Sequence, residues 1–215
     1  MRVKNVIFDL DGLLFDSERT VFEIYSNIAK EKGKKLAFEV FIRDLAGRSS
    51  AHNCSYIAGL CGGRLSASEI EKRFRELETE AVDRGIPLKS GARELLSCLS
   101  KMGVSMMIVS SGERARAEKM LSKAGIEEFF SGSVYGEELK SSKPSPDIFL
   151  HALRISGYPA GDSVILEDSE AGIEAAVSAG IRVICIPDMK MPSNADRAFR
   201  VMKDLLEVMD FLRED

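Results

Sequence analysis

Residues 6–18, VIFDLDGLLFDSE, decide how this chain is read. Residues 3–8 form a near-continuous apolar run, the mark of a strand covered on both faces in a parallel sheet. The run ends in Asp9 and Asp11, and Gly12 follows at once. Two carboxylates ~5 Å apart at an effective dielectric near 20 repel by roughly 3 kcal/mol. Something must offset that repulsion at the mouth of a core.

Outward from this strand, residues 16–33 (DSERTVFEIYSNIAKEKG) predict a helix. Asp16 or Ser17 can cap it, Phe22, Ile24, Tyr25, Ile28 and Ala29 give an apolar face, and Gly33 can end it. The pattern stays helical to about Arg84. Its clearest segment is residues 66–85, with Ser66 or Ser68 as cap and Ile70, Phe74 and Leu77 on one side. Residues 85–91, GIPLKSG, read as a hinge.

Beyond the hinge, helix and strand alternate. Helices are predicted at 91–103, 113–125, 145–157, 169–180 and 205–212, and strands at 104–111, 132–136, 163–168 and 182–187. Such alternation predicts right-handed crossovers and a doubly wound parallel α/β sheet. The expected division is a core of residues 1–15 and 88–215 and an inserted helical domain of residues 16–87.

The 215 residues, 45% of them hydrophobic, suffice for such a core. Net charge is −4 with a pI near 5.5, and no basic run stands out, which argues against nucleic acid or a membrane surface as partner. No stretch approaches the ~20 apolar residues of a membrane span. The first residues show no export signal, so a cytoplasmic protein, a monomer, is expected. Four scattered cysteines without a C-x-x-C, and two histidines, predict reduced thiols rather than disulfides or zinc.

In open α/β sheets ligands bind at the C-terminal strand ends. Asp9 and Asp11 follow the first strand, Ser110, Ser111 and Gly112 the second, and Glu167 and Asp168 the strand "SVILED"; Lys143 precedes the helix "SPDIF". Singly, most have ordinary explanations. An acid before a helix is more often a cap than a ligand, two serines make a polar turn, and a lysine is usually solvated. Asp9 ends a buried strand and caps nothing. Four carboxylates converging with one lysine require a cation, and oxygen-only donors suit Mg²⁺. Ser110 and the helix after it offer donors to an anion. Metal, anion pocket and carboxylate together point to phosphoryl transfer.

"DLDGLLFDSE", "VSSG", "KPSPDIF" and "LEDSEAGIEAA" resemble, in order, the four motifs of the haloacid dehalogenase-like (HAD) superfamily, in its phosphatase and β-phosphoglucomutase branch. The resemblance implies a Rossmann-type core with a helical cap and a Mg²⁺-dependent reaction on a small phosphorylated metabolite. It implies Asp9 as nucleophile forming an aspartyl-phosphate and Asp11 as general acid and base. Mg²⁺ would sit on the Asp9 carboxylate, the Asp11 carbonyl and Asp168, with Glu167 binding directly or through water. Ser110 and the Ser111 amide would hold the phosphoryl oxygens, and Lys143 would bridge Asp9 to them. In the cap, "AGRSS" (46–50) would face the substrate, with Arg43, Gly47 and Arg48 as contacts. The cap would open and close as a unit.

Three readings follow: a phosphatase on a sugar phosphate or similar phosphomonoester, a phosphosugar mutase, and a non-catalytic binding relative. The mutase pattern places a His and an Arg where this chain has Val21 and Ser50. Every catalytic position is filled. Both points favour the phosphatase.

Overall fold

A computed structural model describes residues 3–214. The described chain divides into two compact units, Ser17–Ile86 and the residues on either side of it.

The larger unit is built on a six-stranded parallel sheet in the order β3-β2-β1-β4-β5-β6. The strands are β1 (Asn5–Phe8), β2 (Ser105–Ser110), β3 (Gly132–Tyr135), β4 (Ser163–Glu167), β5 (Arg182–Cys185) and β6 (Arg200–Val201). β1 is central and pairs with β2 (Phe8 beside Ile108) and with β4 (Phe8 beside Leu166). All four of its residues are buried, which is why it reads as an unbroken apolar run.

Among the described residues, five α-helices belong to this unit: α5 (Ala92–Lys101), α6 (Arg114–Ala124), α7 (Asp147–Ser156), α8 (Glu170–Ser178) and α9 (Leu205–Glu214). Successive strand side chains point to opposite faces. Ile7, Met107, Val109, Ile165 and Val183 form one core layer with Ile148 and Phe149 of α7 and Ile173 and Ala176 of α8. Burying each such aliphatic or aromatic side chain is worth about 1.5–3 kcal/mol. The chain order reverses between β1 and β4, so their C-terminal ends flank a topological switch point, where α/β sheets bind ligands. β6, only two residues long and exposed, falls outside the sequence expectation.

The Ser17–Ile86 unit contains four helices: α1 (Ser17–Glu31), α2 (Phe38–Asp44), α3 (Ser50–Leu60) and α4 (Ala67–Arg84). Its core includes Tyr25 stacked on Phe74 at 4.7 Å and the edge-on pairs of Phe22 with Phe38 and Phe41. Ser66, not Ser68, caps α4: its hydroxyl accepts from the Glu69 amide, and its own amide donates to the Glu69 carboxylate, a reciprocal capping box. Leu77, expected on the apolar side, is only half-buried.

The segment read as a hinge is tied by backbone pairing to the other crossing. The Asp16 amide donates to the Pro87 carbonyl at 2.9 Å and the Lys89 amide to the Leu14 carbonyl at 2.8 Å. A β-bridge between Phe15 and Leu88 lies between these bonds. All four cysteines are free thiols, and no helix of the described residues is long and apolar enough to cross a membrane.

Candidate active site

Asp9 follows β1 directly, and its amide still donates to the Leu166 carbonyl of β4 at 3.1 Å. The ladder thus fixes the backbone that carries this buried carboxylate. Lys143 reaches it from the loop before α7, with a side chain only 4% exposed. Its ammonium donates to Asp9 Oδ1, to Glu167 Oε1 at 2.6 Å and to the Val109 carbonyl at 3.1 Å. One cation therefore joins the ends of three adjacent strands, β2, β1 and β4.

Glu167 is fully buried. Its Oε2 accepts from the Asp168 amide at 3.0 Å, the Ser169 amide at 3.0 Å and the Ser169 hydroxyl at 2.9 Å. With Lys143 on Oε1, both oxygens are occupied. This placement needs a glycine one turn on: a Cβ on Gly172 would lie 1.8 Å from the Glu167 carboxyl carbon. Ser169, not Asp168, caps α8 by accepting from the Gly172 amide. The competing explanation of Asp168 as a helix cap is thereby removed.

The Asp168 carboxylate lies against Gly12. A Cβ there would be 2.2 Å from Asp168 Oδ2 and 3.4 Å from Asp188 Oδ2, and Gly12 also has a φ of +79°, so glycine is required twice over. Asp188, which follows β5 and Pro187, brings a further carboxylate to this edge. Lys89 forms an ion pair with it, and the same ammonium stands 3.9 Å from Asp16. Asp188 obeys the strand-end rule that locates Asp9 and Glu167, and applying that rule to β5 would have found it.

On the other side of Asp9 lies the loop between β2 and α6. The buried Ser110 hydroxyl accepts from the Gly112 amide at 3.0 Å, and Ser111 is exposed, its hydroxyl accepting from Ser142 at 2.9 Å. Asp11 is gripped by Arg116 of α6, with Nη1 on Oδ2 and Nη2 on Oδ1, both at 2.9 Å. Arg116 is absent from the sequence expectation. The structure thus brings Asp9, Lys143 and Glu167 into direct contact, with Asp168 beside Gly12 and Asp11 held by Arg116.

In the Ser17–Ile86 unit, the three residues expected to contact substrate lie in the last turn of α2 and just after it. Arg43 is exposed and makes two 2.8 Å hydrogen bonds to its neighbour Asp44, which also accepts from Tyr56 at 3.3 Å. Gly47 turns the chain after α2 with a φ of +71°, Arg48 beside it is exposed, and Ser49 caps α3 through the His52 amide.

Burial dominates the electrostatics of the Asp9 and Asp168 carboxylates. Burial, opposed by Lys143 and reinforced by Glu167 and Asp11, raises Asp9 to about 7. Asp168 is also raised, by burial first and then by Glu167, Asp9 and Asp188. Burial works against the Lys143 ammonium, but Asp9 and Glu167 outweigh it and hold its proton more firmly than in water. Burial, then Asp168 and Glu167, push the Cys185 thiol up to about 11, so it stays protonated at neutral pH.

A pH dependence follows. The folded protein holds the Asp9 proton more tightly than the unfolded chain, so this proton stabilises the fold fully below the unfolded value near ~4, and the stabilisation is lost as pH rises through about 7. Asp168 acts in the same direction. Without divalent cations, the melting temperature is expected to fall between pH 5 and 8. Asp9→Asn should flatten that slope and stabilise the protein at pH 8 by on the order of 2 kcal/mol. Equal slopes in the two proteins would contradict the buried charge on Asp9.

Among the described residues, no three His, Cys, Asp or Glu side chains gather as a ready-made metal cluster. The donor chemistry nonetheless fits a hard cation: Asp9 and Asp168 are oxygen donors, and burial, the first cause of the rise in both, strips them of the solvation that such an ion would replace.

Comparison with known proteins places the chain in a family. The family described as "Haloacid dehalogenase-like hydrolase" matches residues 6–186. Hexitol phosphatase A of Escherichia coli is 35% identical over 191 residues, 86% of this chain and 84% of that protein. A phosphorylated carbohydrates phosphatase of Thermotoga maritima is 29% identical over 179 residues, 83% of this chain and 82% of its own. A provisionally named β-phosphoglucomutase from Thermotoga maritima superimposes with a TM-score of 0.85 at 27% identity, over 100% of this chain and 99% of its own. A HAD family hydrolase from Deinococcus radiodurans, solved with bound phosphate and sodium, gives 0.83 at 25% identity over 99% and 96%. The chain therefore belongs to the haloacid dehalogenase-like hydrolases, and within them it stands with the phosphatases.

Proposed function

We propose that the protein is a Mg²⁺-dependent phosphatase acting on a small phosphorylated metabolite, a sugar phosphate or similar phosphomonoester, through an aspartyl-phosphate on Asp9. The observation that carries this reading is the buried Asp9 carboxylate at the switch point, paired with Lys143 and flanked by the Ser110 loop. An Asp9 oxygen attacks phosphorus in line as the ester P–O bond breaks, and Asp11 gives a proton to the departing oxygen. A water then attacks phosphorus, returns a proton to Asp11, and releases phosphate and free Asp9. Ser110 and the Ser111 amide hold the transferred oxygens, and Lys143 sets the Asp9 carboxylate and adds positive charge beside the phosphoryl group.

Asp9, Asp168 and the Asp11 carbonyl are the groups that would hold Mg²⁺. Bound there, the ion would supply positive charge against the phosphoryl oxygens. Glu167, whose oxygens are already engaged, serves in this reading to orient Lys143. The Ser17–Ile86 unit is the substrate-selecting cap. Arg43 is held by Asp44, which makes Arg48 beside Gly47 the stronger substrate contact. Relatives acting on phosphorylated carbohydrates and hexitol phosphate support a polyol or sugar ester. Val21 and Ser50 favour hydrolysis over phosphoryl return.

A screen of sugar, hexitol and nucleoside monophosphates with and without Mg²⁺ tests this. Free phosphate is expected, whereas an isomerised ester formed with a bisphosphate primer would mean a mutase. In the same assay Asp168→Ala should raise the half-saturating Mg²⁺ concentration at least tenfold. An unchanged value would remove Asp168 from the metal site.

A further inference from the structure

Arg116 is not among the positions of the four motifs, yet it makes the two-point contact described above with Asp11. A point beside the Gly112 α-carbon, where a Cβ would sit, is 3.3 Å from Ser110 Oγ, 3.8 Å from Arg116 Nη1 and 3.8 Å from Asp11 Oδ2. The pair therefore stands at the edge of the loop proposed to hold the phosphoryl group.

A guanidinium fork fixes a carboxylate in plane and rotation as no single donor does. Each carboxylate oxygen has two lone pairs. The fork engages only one lone pair on each oxygen, so it fixes the carboxylate without itself consuming its capacity to take a proton. We propose that Arg116 is a positioning residue for the acid and base of the reaction. It holds the Asp11 carboxylate in one orientation beside the anion loop, so that the proton taken from water in one turnover is delivered to the leaving oxygen in the next. This inference rests on the reading of Asp11 as general acid and base.

The alternative role for an arginine at this place is binding the substrate's phosphoryl group directly, and the two roles leave different kinetic marks. An alkyl leaving group departs as a basic alkoxide and needs the proton, whereas p-nitrophenolate departs largely without it. Hydrolysis of the aspartyl-phosphate is common to both esters, whereas kcat/KM ends at the step that expels the leaving group. A mispositioned acid therefore costs kcat/KM for the alkyl ester far more than for the aryl ester, and general acid catalysis contributes about 10²–10⁴-fold. A lost phosphoryl contact lowers kcat/KM for both alike.

The test compares wild type, Asp11→Asn, Arg116→Met and Arg116→Lys in the Mg²⁺-loaded enzyme, with p-nitrophenyl phosphate and a hexitol phosphate. Melting temperatures are measured alongside. Arg116→Met is expected to lower kcat/KM about 100-fold more for the alkyl than for the aryl ester. Arg116→Lys keeps the charge but cannot form the fork, so it should show the same selectivity in a folded protein even if Arg116→Met does not fold. Equal losses of kcat/KM on both esters, or no loss, would overturn the proposal. If Asp11→Asn itself shows no preference between the esters, the reading of Asp11 fails, and the inference falls with it.

Discussion

Asp9→Asn abolishes turnover, by at least ~10³-fold, in a protein that remains folded. The amide matches the carboxylate in shape, but its oxygen is a poor nucleophile and cannot form the acyl phosphate. The backbone there is held by the Asp9 amide bond to Leu166 and by the β1 ladder, neither of which involves the side chain. The change also removes a buried charge, so the variant should melt no lower than wild type at pH 8. Steady-state kinetics with the preferred phosphomonoester measure the loss. A residual rate above a few percent would place the nucleophile elsewhere.

The second large effect is on stability. Lys143→Met leaves Asp9 and Glu167 without their shared cation in a site where Glu167 is fully buried. Breaking a buried ion pair from one side costs about 3–5 kcal/mol, because the remaining charge stays desolvated. For a chain of this size that is a fall of roughly 6–20 °C in melting temperature. Adding Glu167→Gln removes one of the stranded charges while preserving shape, so the double variant should recover about half of the loss. Denaturation of the two variants at pH 8 decides the matter. A neutral Lys143→Met, or a double variant no better than the single, would mean that the lysine does not balance these carboxylates.

The strand ends were legible because burial and chemistry leave separate marks there. β1, β2 and β4 are apolar along most of their length, so the first polar residues at their C-terminal ends are conspicuous, and Asp9, Ser110 and Glu167 stand out. The helix termini were only half legible. Asp168 and Ser169 are both good caps by residue type, and only the hydrogen bond from Gly172 decides for Ser169. Arg116 was not legible, because nothing in spacing separates it from Arg114 two residues earlier in the same helix. Arg114 pairs with Glu118 and Glu138, whereas Arg116 reaches across to Asp11. β6 has two residues, too few to show a period. Glu167 was placed at the right strand end, but its burial depends on the missing side chain of Gly172, a relation that appears only once α8 is folded against β4.

The most direct test of the Asp9 assignment is chemical capture of the intermediate. The enzyme, mixed with excess substrate and Mg²⁺, is quenched in acid during steady-state turnover and treated with borohydride, which reduces an acyl phosphate to the alcohol. Peptide mass spectrometry then locates the change. The expected result is reduction at Asp9 alone, absent without substrate and absent in Asp9→Asn. Modification at another residue, or continued turnover with no reduced residue, would contradict the assignment of Asp9 as the nucleophile.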